Sequence, residues 1–201
     1  MHPVLAKAVH PLAELVAGVG LDEAQVSPNS ELHQWCGQQV VEHLILTFQS
    51  SRMELERRLK SGGSPVRRAS LLQWILRVQV CMFGSMSRGV STALTLRPIR
   101  FVPQGGRELA ERLLAEAEAL DKDLSNCRIN FGLRPCGYHA MYGPLRVEEW
   151  RVYHSVHIRH HQRQFEEAIR LARRRIAGAT QSILRQEQVA PAADSDGQVL
   201  L

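Results

Sequence analysis

Apolar residues recur along most of the chain at the spacing of an amphipathic α-helix. In residues 3–18 they repeat with a period close to that of the helix. Similar stripes occupy residues 31–60, 107–127 and 147–177, and a weaker one covers residues 66–87. No segment alternates apolar and polar residues for long enough to predict a strand. The pattern therefore predicts an all-α protein.

The breaks between these segments predict how the helices are connected. Ser30 is the expected N-cap of the second helix, and the sequence Ser-Gly-Gly-Ser-Pro follows the end of that helix. Proline and glycine residues make residues 92–106 a long crossover loop and residues 130–145 a second loop. We therefore predict an up-and-down four-helix bundle with a long crossover, in which the weaker segment forms a subsidiary helix.

Composition narrows the class of protein. With 201 residues, 44% of them hydrophobic, the chain is expected to fold as one globular domain over residues 1–177, followed by a flexible tail at 178–201. No window of roughly 18 residues is apolar enough to cross a membrane. The N-terminal segment is a poor secretory signal, and four widely separated cysteines favour reduced thiols. These features predict a cytoplasmic protein that does not bind membranes.

The positive charge of the chain raises the question of nucleic-acid binding. The formal net charge is +5 and the pI is near 9.4. However, the arginines of the last helix scatter over its outward half with Glu166 and Glu167 between them, which is typical of a solvated face. The few aromatic residues offer no platform on which bases could stack. We therefore rank nucleic acid last among the partners considered.

Four of the nine histidines fall within eight positions of the last predicted helix. His157 and His161 stand one turn apart and about 40° apart around the helix, so both imidazoles can bind one metal ion. Both continue the inward apolar stripe, and His43 lies in the apolar stripe of the second helix. Three neutral imidazoles suit Zn²⁺, Ni²⁺, Fe²⁺ or Mn²⁺. The alternative is a set of satisfied core histidines, because spacing alone does not show that the two helices meet.

Three segments resemble the DinB-like (YfiT-like) family of four-helix bundle proteins. The family's last-helix signature, H-x-x-H-H-x-x-Q, is matched by His157-Ile-Arg-His-His-Gln-Arg-Gln164. The lead-in of one subgroup, HPxFGxLTxxEW, is similar to His139-Ala-Met-Tyr-Gly-Pro-Leu-Arg-Val-Glu-Glu-Trp150. The second-helix pattern, W-S-x-x-E-x-x-x-H-L, is similar to Trp35-Cys-Gly-Gln-Gln-Val-Val-Glu-His43-Leu44. The resemblance covers roughly residues 3–175.

This resemblance implies one divalent metal ion held by His43, His157 and His161. It also implies a class of activity, because characterised members of the family include metal-dependent transferases of low-molecular-weight thiols and an isomerase that acts on a thiol conjugate. The chain departs from the family pattern at Val156, where asparagine is frequent, and at Cys36-Gly37, which replaces a serine-containing pair. Neither departure touches a ligand.

Five further residues are candidates for the pocket around this site. His139 and Tyr142 precede the last helix. They either line the pocket or only stabilise the turn that leads into this helix. His160 lies beside the ligand pair, either supporting it or at the surface. His154 either extends the polar line of the cavity or lies at the helix rim. Gln164 either hydrogen-bonds a ligand or substrate, or has a packing or capping role.

Two hypotheses from different classes remain open, and the sequence identifies no catalytic residue. The first is a DinB-like metalloprotein that activates a small thiol or water against a small electrophilic substrate, with thiol transfer ranked ahead of hydrolysis. The second is a non-catalytic interaction or dimerisation module with structural histidines. An apolar run on the subsidiary helix bears on this choice. It either covers the pocket, forms a homodimer contact or packs against the core in the ordinary way. The run consists of Leu71, Leu72, Trp74, Ile75 and Val78.

Overall fold

The computed structural model describes residues 1–27, 34–62, 67–86, 94–98 and 102–189, and within these residues it is mostly helical. The α-helices are α1 (Pro3–Ala17), α2 (Leu21–Gln25), α3 (Gly37–Lys60), α4 (Leu71–Phe83), α5 (Gly106–Phe131) and α6 (Val147–Val189). A short antiparallel hairpin of β1 (Gly137–His139) and β2 (Gly143–Leu145) precedes α6. The all-α prediction is confirmed. No helix among the described residues combines the length and the apolar composition needed to cross a membrane.

One hydrophobic core joins the four long helices. The most extensive packing is of α1 and α3 against α5, and α6 packs against both α1 and α3. Leu12, Leu44, Leu113 and Ile158, one from each helix, are fully buried. These residues belong to the apolar stripes of the sequence, and burying such stripes is what stabilises helices of this length.

The start of the second long helix differs from the prediction. Residues 34–36 are not helical, and Cys36 rather than Ser30 is the N-cap of α3; Ser30 itself lies outside the described residues. A Cβ atom on Gly37 would lie 2.6 Å from Ile169 Cδ1, so the first turn of α3 is in close contact with α6. The absence of a side chain at Gly37 therefore lets the two helices that carry the candidate ligands approach each other.

The ends of the last two helices also differ from the prediction. Helix α5 continues to Phe131, and α6 continues to Val189 instead of ending near Ala177; residues 178–185 of α6 are exposed. The first part of the predicted flexible tail is therefore helical. Residues 190–201 lie outside the described residues, so the boundary of the domain at residue 177 stays a prediction.

The predicted loop before the last helix contains the hairpin. Tyr138 of β1 pairs with Pro144 of β2, and Gly143 turns the chain with a φ of +72°, a conformation that favours glycine. Strands of three residues are too short to produce a recognisable alternation, which is why the sequence did not predict these two. The side chain of Glu54 accepts a hydrogen bond from the backbone N–H of Tyr138 at 2.9 Å, which ties the hairpin to α3.

The subsidiary helix is shorter than predicted and only one of its faces packs. It begins after the N-cap Ser70 and ends at Gly84, whose φ is +59°. Val80 is buried and Leu76 packs against the core. The other face is exposed to solvent, so ordinary packing does not account for its large apolar residues. These residues are Leu71, Leu72, Trp74, Ile75, Met82 and Phe83.

The start of α5 leaves no room for a side chain. The N–H of Gly106 donates to Val19 O at 3.1 Å. A Cβ atom at this position would lie 1.9 Å from Val16 O, which is a backbone atom that cannot move without shifting α1. Gly105, the preceding N-cap, has open space at the same point.

We expect Gly106→Ala to lower the free energy of unfolding by roughly 3 kcal/mol, because the added methyl group overpacks a backbone contact. The matched control Gly105→Ala is expected to cost less than about 1 kcal/mol. Urea denaturation followed by circular dichroism measures both. Equal stabilities of the two variants would contradict this description of the contact between α1 and α5.

Candidate metal centre

Three buried histidines from two helices meet at one point inside the protein. His43 comes from α3, and His157 and His161 come from successive turns of α6. His157 Nε2 lies 3.3 Å from His43 Nε2 and 2.9 Å from His161 Nε2. The three histidines form a group whose ligand atoms all lie within 4.8 Å of one another, and such a group could hold a metal ion. The helices therefore meet where the sequence requires them to meet for a shared site.

The Nδ1 atoms of two of these histidines use their protons in hydrogen bonds outside the group. Too few protons are then left for hydrogen bonds between the Nε2 atoms. His43 Nδ1 donates to Leu96 O at 2.9 Å, and His161 Nδ1 donates to Gln164 Oε1 at 2.6 Å. A neutral imidazole carries one proton, so the Nε2 atoms of His43 and His161 are both lone-pair acceptors. His157 supplies at most one proton for its two Nε2 contacts. At least one contact is therefore between two acceptors.

Burial keeps the three rings neutral. Burial lowers the pKa of His161 to about 3, with the nearby His43 and His160 adding to the shift. Burial also lowers the pKa of His43 and, more strongly, that of His157, where His161 and His43 act in the same direction. Protonating one ring to relieve the contacts between acceptors is thus disfavoured at neutral pH. A cation bound between the lone pairs would satisfy all three acceptors.

The geometry of the group fits a shared ion. Two imidazole nitrogens that are each about 2.0–2.1 Å from a tetrahedral Zn²⁺ lie roughly 3.3 Å apart. The separation of His43 Nε2 and His157 Nε2 is also 3.3 Å, whereas His157 Nε2 and His161 Nε2, at 2.9 Å, would have to move slightly apart. Hydrogen bonds from Nδ1 to a carbonyl or an amide oxygen are the usual means of orienting a histidine ligand. His43 and His161 both have such a bond, so the chemistry and orientation of these residues fit a metal.

Aromatic rings complete the surroundings of the ligand group. Tyr153 stacks on His157, with ring centroids 5.5 Å apart and planes 14° apart. Trp35 lies against His43 with a centroid separation of 5.1 Å. Neither contact, nor the Leu96 carbonyl, was identified from the sequence as part of the site. A backbone carbonyl has no side-chain signature. Tyr153 lies one helical turn before His157, whereas Trp35 lies in the non-helical residues just before α3.

A cavity of about 1710 Å³ opens next to the three histidines. It follows α3 from His43 past Thr47 and Ser50 to Glu54, a distance of about 16 Å at the rise of an α-helix. One face of α6, the hairpin and the inner face of α4 form its other walls. The site is therefore next to a space large enough for a small molecule.

Four of the five additional pocket candidates lie at this cavity. His139 and Tyr142 line it, and their rings are in contact at a centroid distance of 4.7 Å. His139 also serves its turn, since its Nδ1 accepts a hydrogen bond from the N–H of Met141 at 3.1 Å. His160 and Gln164 line the cavity beside His161, with which both are in contact.

His154 differs from both of its predicted placements. Its side chain is fully buried in the core, with Phe48 on one side and Trp150 stacked on the other, and it does not line the cavity. Neither of its ring nitrogens has a hydrogen-bond partner among the described residues. Burial lowers its pKa to about 3, so the ring is neutral. His154 is a packing residue despite its helical position in line with the ligands.

Glu42, next to His43 in the sequence, lies outside the site. Its carboxylate forms an ion pair with Arg112 of α5, with a shortest distance of 2.7 Å. Successive residues of a helix point about 100° apart, so Glu42 lies on the flank of α3 relative to His43.

Comparisons with protein-family models, with curated proteins and with solved structures found no match. The likeness to DinB-like proteins therefore rests on the three sequence segments alone, and function has to be argued from the site.

The partly buried His139 makes the stability of the fold depend on pH. Burial lowers its pKa from 6.5 to about 4. As the pH falls from 6.5 towards 4, only the unfolded chain takes up this proton, so the folded state loses stability; below pH 4 the folded state is protonated as well. By pH 5 this proton uptake has lowered the free energy of unfolding by about 2 kcal/mol.

We expect His139→Asn to reduce the loss of stability between pH 7 and pH 5 by about that amount. The asparagine oxygen can still accept the hydrogen bond from Met141, so the turn is preserved. Denaturation curves at several pH values measure the effect, and the two proteins should have parallel pH dependence above pH 7. If the free energy of unfolding falls equally in both proteins between pH 7 and pH 5, His139 is not the cause of the pH dependence.

Proposed function

We propose that this protein is a metalloprotein that binds one divalent metal ion through His43, His157 and His161. The observation that carries the proposal is the convergence of three buried imidazole nitrogens that share at most one proton. An apolar interior disfavours such unsatisfied acceptors, and a bound cation removes the cost. The packing of α1, α3, α5 and α6 is consistent with a DinB-like four-helix bundle, which we propose as the architecture.

The donor set restricts the choice of ion. All three ligand atoms are imidazole nitrogens, which suit Zn²⁺, Ni²⁺ and Fe²⁺ and admit Mn²⁺, whereas Ca²⁺ and Mg²⁺ prefer oxygen ligands. Three protein ligands leave coordination positions for an exogenous molecule, as in catalytic rather than structural sites. The adjoining cavity gives a small molecule access to those positions.

We propose transfer of a small thiol as the reaction, with hydrolysis as the second choice. A divalent ion bound here would lower the pKa of a coordinated thiol or water and polarise an electrophile. Leu96 and Gln164 hold the ligand rings in the required tautomer, and Tyr153 fixes the plane of His157 by stacking. The support for a thiol comes from the resemblance to the family, and the support for a reaction comes from the open, lined cavity.

Elemental analysis of protein purified without chelator tests the metal site. We expect about one ion per chain in the wild type and less than about a tenth of that in His43→Ala, His157→Ala and His161→Ala, because each variant removes one of three ligands. His160→Ala is the matched control, since it removes a neighbouring histidine that is not in the ligand group.

Circular dichroism shows whether the variants remain folded. A folded His157→Ala variant with unchanged metal content would overturn the assignment of ligands. A wild type that stays without metal after loading would overturn the proposed function, and would favour histidines with a purely structural role.

A second candidate function, self-association through α4, is favoured by the exposed face of that helix. Leu71 and Met82 are 74% and 77% exposed, and contiguous apolar patches of this kind mark interaction surfaces. Arg77 carries the sole charge of α4, and it is turned inward, donating to Pro144 O at 2.6 Å. Because the chain has a net charge of +5, two copies repel each other least where the contact surface carries no charge. We therefore propose a second copy as the occupant of this uncharged face.

We expect light scattering to show a dimer of the wild type at about 100 µM and a monomer of Leu72→Glu, because a carboxylate would be buried twice in a symmetric contact. The control is Ile129→Glu, at a residue of α5 that is 82% exposed and outside this face. A monomeric wild type, or equal effects of the two substitutions, would rule out this surface.

A further inference from the structure

We propose that the cavity selects a small anionic ligand: one end binds at the three histidines, and a carboxylate at the other end binds Arg159 and Arg163. This inference deepens the proposed function and rests on it. It names the class of substrate, and it is argued from the charges that line the cavity.

The carboxylates that line the cavity are already neutralised. Glu54 forms a two-point ion pair with Arg57, with both distances 2.9 Å. Glu167 forms an ion pair with Arg170, whose Nε lies 2.8 Å from one carboxylate oxygen. Neither carboxylate is therefore available to repel an anion or to bind a cationic substrate.

Arg159 and Arg163 line the same cavity, and no salt bridge joins either of them to a carboxylate in the part of the chain that the structure describes. Other arginines of α6 do have such partners: Arg151 pairs with Asp121 at 3.0 Å and Arg173 pairs with Glu23 at 3.0 Å. Among the arginines of α6, Arg151, Arg170 and Arg173 are thus paired with carboxylates, whereas Arg159 and Arg163 at the cavity are not.

The metal site adds to the positive charge of the cavity. Imidazole ligands are neutral, so an ion bound by three histidines keeps its full charge of about +2, unlike an ion held by carboxylates. A cavity with this ion and two unpaired guanidinium groups has a strongly positive potential, which favours anions over neutral molecules of equal size.

The positions of Arg159 and Arg163 suit binding of a carboxylate at the rim of the cavity. They are one turn apart on α6, and His160 lies between them in sequence and also lines the cavity. The Arg159 guanidinium reaches towards the end of α4, where its Nη2 lies 3.9 Å from the position of a Cβ atom on Gly84. Both side chains are exposed, so they can turn towards a ligand, and guanidinium groups bind carboxylates in a two-point geometry.

Two thiols of the same chain length, one anionic and one neutral, serve as probes. Comparing their affinities isolates the effect of the ligand's charge. Mercaptohexanoate has a terminal carboxylate that is too distant from its sulfur for both ends to bind one metal ion, and mercaptohexanol is its neutral counterpart. With Co²⁺ as the bound ion, coordination of a thiolate produces a charge-transfer absorption band. Titration of that band measures the affinity for each thiol without requiring any catalytic activity.

We expect the wild type to bind mercaptohexanoate about tenfold more tightly than mercaptohexanol, the effect of one hydrogen-bonded ion pair. In the double variant Arg159→Gln/Arg163→Gln the preference should fall to about twofold or less, with unchanged affinity for mercaptohexanol. The control Arg174→Gln/Arg185→Gln removes the same charge at exposed positions of α6 that do not line the cavity, and should keep the preference.

The outcomes separate this inference from the function on which it rests. Equal affinity of the wild type for the two thiols, or an undiminished preference in the Arg159→Gln/Arg163→Gln variant, overturns the anion site and leaves the metal site standing. An equal loss of preference in the control shows an effect of overall charge and also overturns the anion site. Absence of the absorption band with both thiols overturns the proposed thiol chemistry, and the inference with it.

Discussion

The candidate site depends on one constraint: the interior of the protein contains three neutral imidazoles whose Nε2 atoms face each other. The Leu96 carbonyl and the Gln164 amide take up the Nδ1 protons of His43 and His161, which commits their lone pairs to the same point. Without a cation, this arrangement reduces the stability of the fold, because desolvated acceptors are left without donors. A bound ion would therefore stabilise the packing of α3 against α6 as well as supply chemistry.

Buried polar groups without partners concentrate next to this point. Among the described residues, they include both ring nitrogens of His154, Nδ1 of His157 and the indole nitrogen of Trp150. Each such group costs free energy, and proteins tolerate this cost mainly where function requires it. The aromatic contacts of Phe48, Trp150 and Tyr153 provide packing but no hydrogen bonds. The core next to the site is thus stabilised by van der Waals packing of aromatic rings rather than by hydrogen bonds.

The cavity combines the long helices that carry the ligands with shorter elements that close it. The ligands lie on long helices whose positions are set by the common core, which suits a site that must hold its geometry within a fraction of an ångström. One side of the cavity is formed by α3 and α6 themselves, and the other side comes from α4, the hairpin and the 3₁₀ turn Leu94–Leu96, which are short elements between loops. Such elements tolerate change better than core helices do, so the choice of substrate can vary while the metal site stays the same.

The sequence by itself determined the helical class, the inward stripes and the spacing of His157 and His161, because helical periodicity is a local property that depends only on neighbouring residues. The tertiary structure decided the rest. It brought His43 to the pair on α6, placed His154 in the core although it follows the same helical period, and recruited the Leu96 carbonyl, which no side-chain pattern encodes. It also showed which arginines are paired and which face the cavity. These outcomes depend on contacts between residues far apart in the chain, and such contacts arise only when the helices pack.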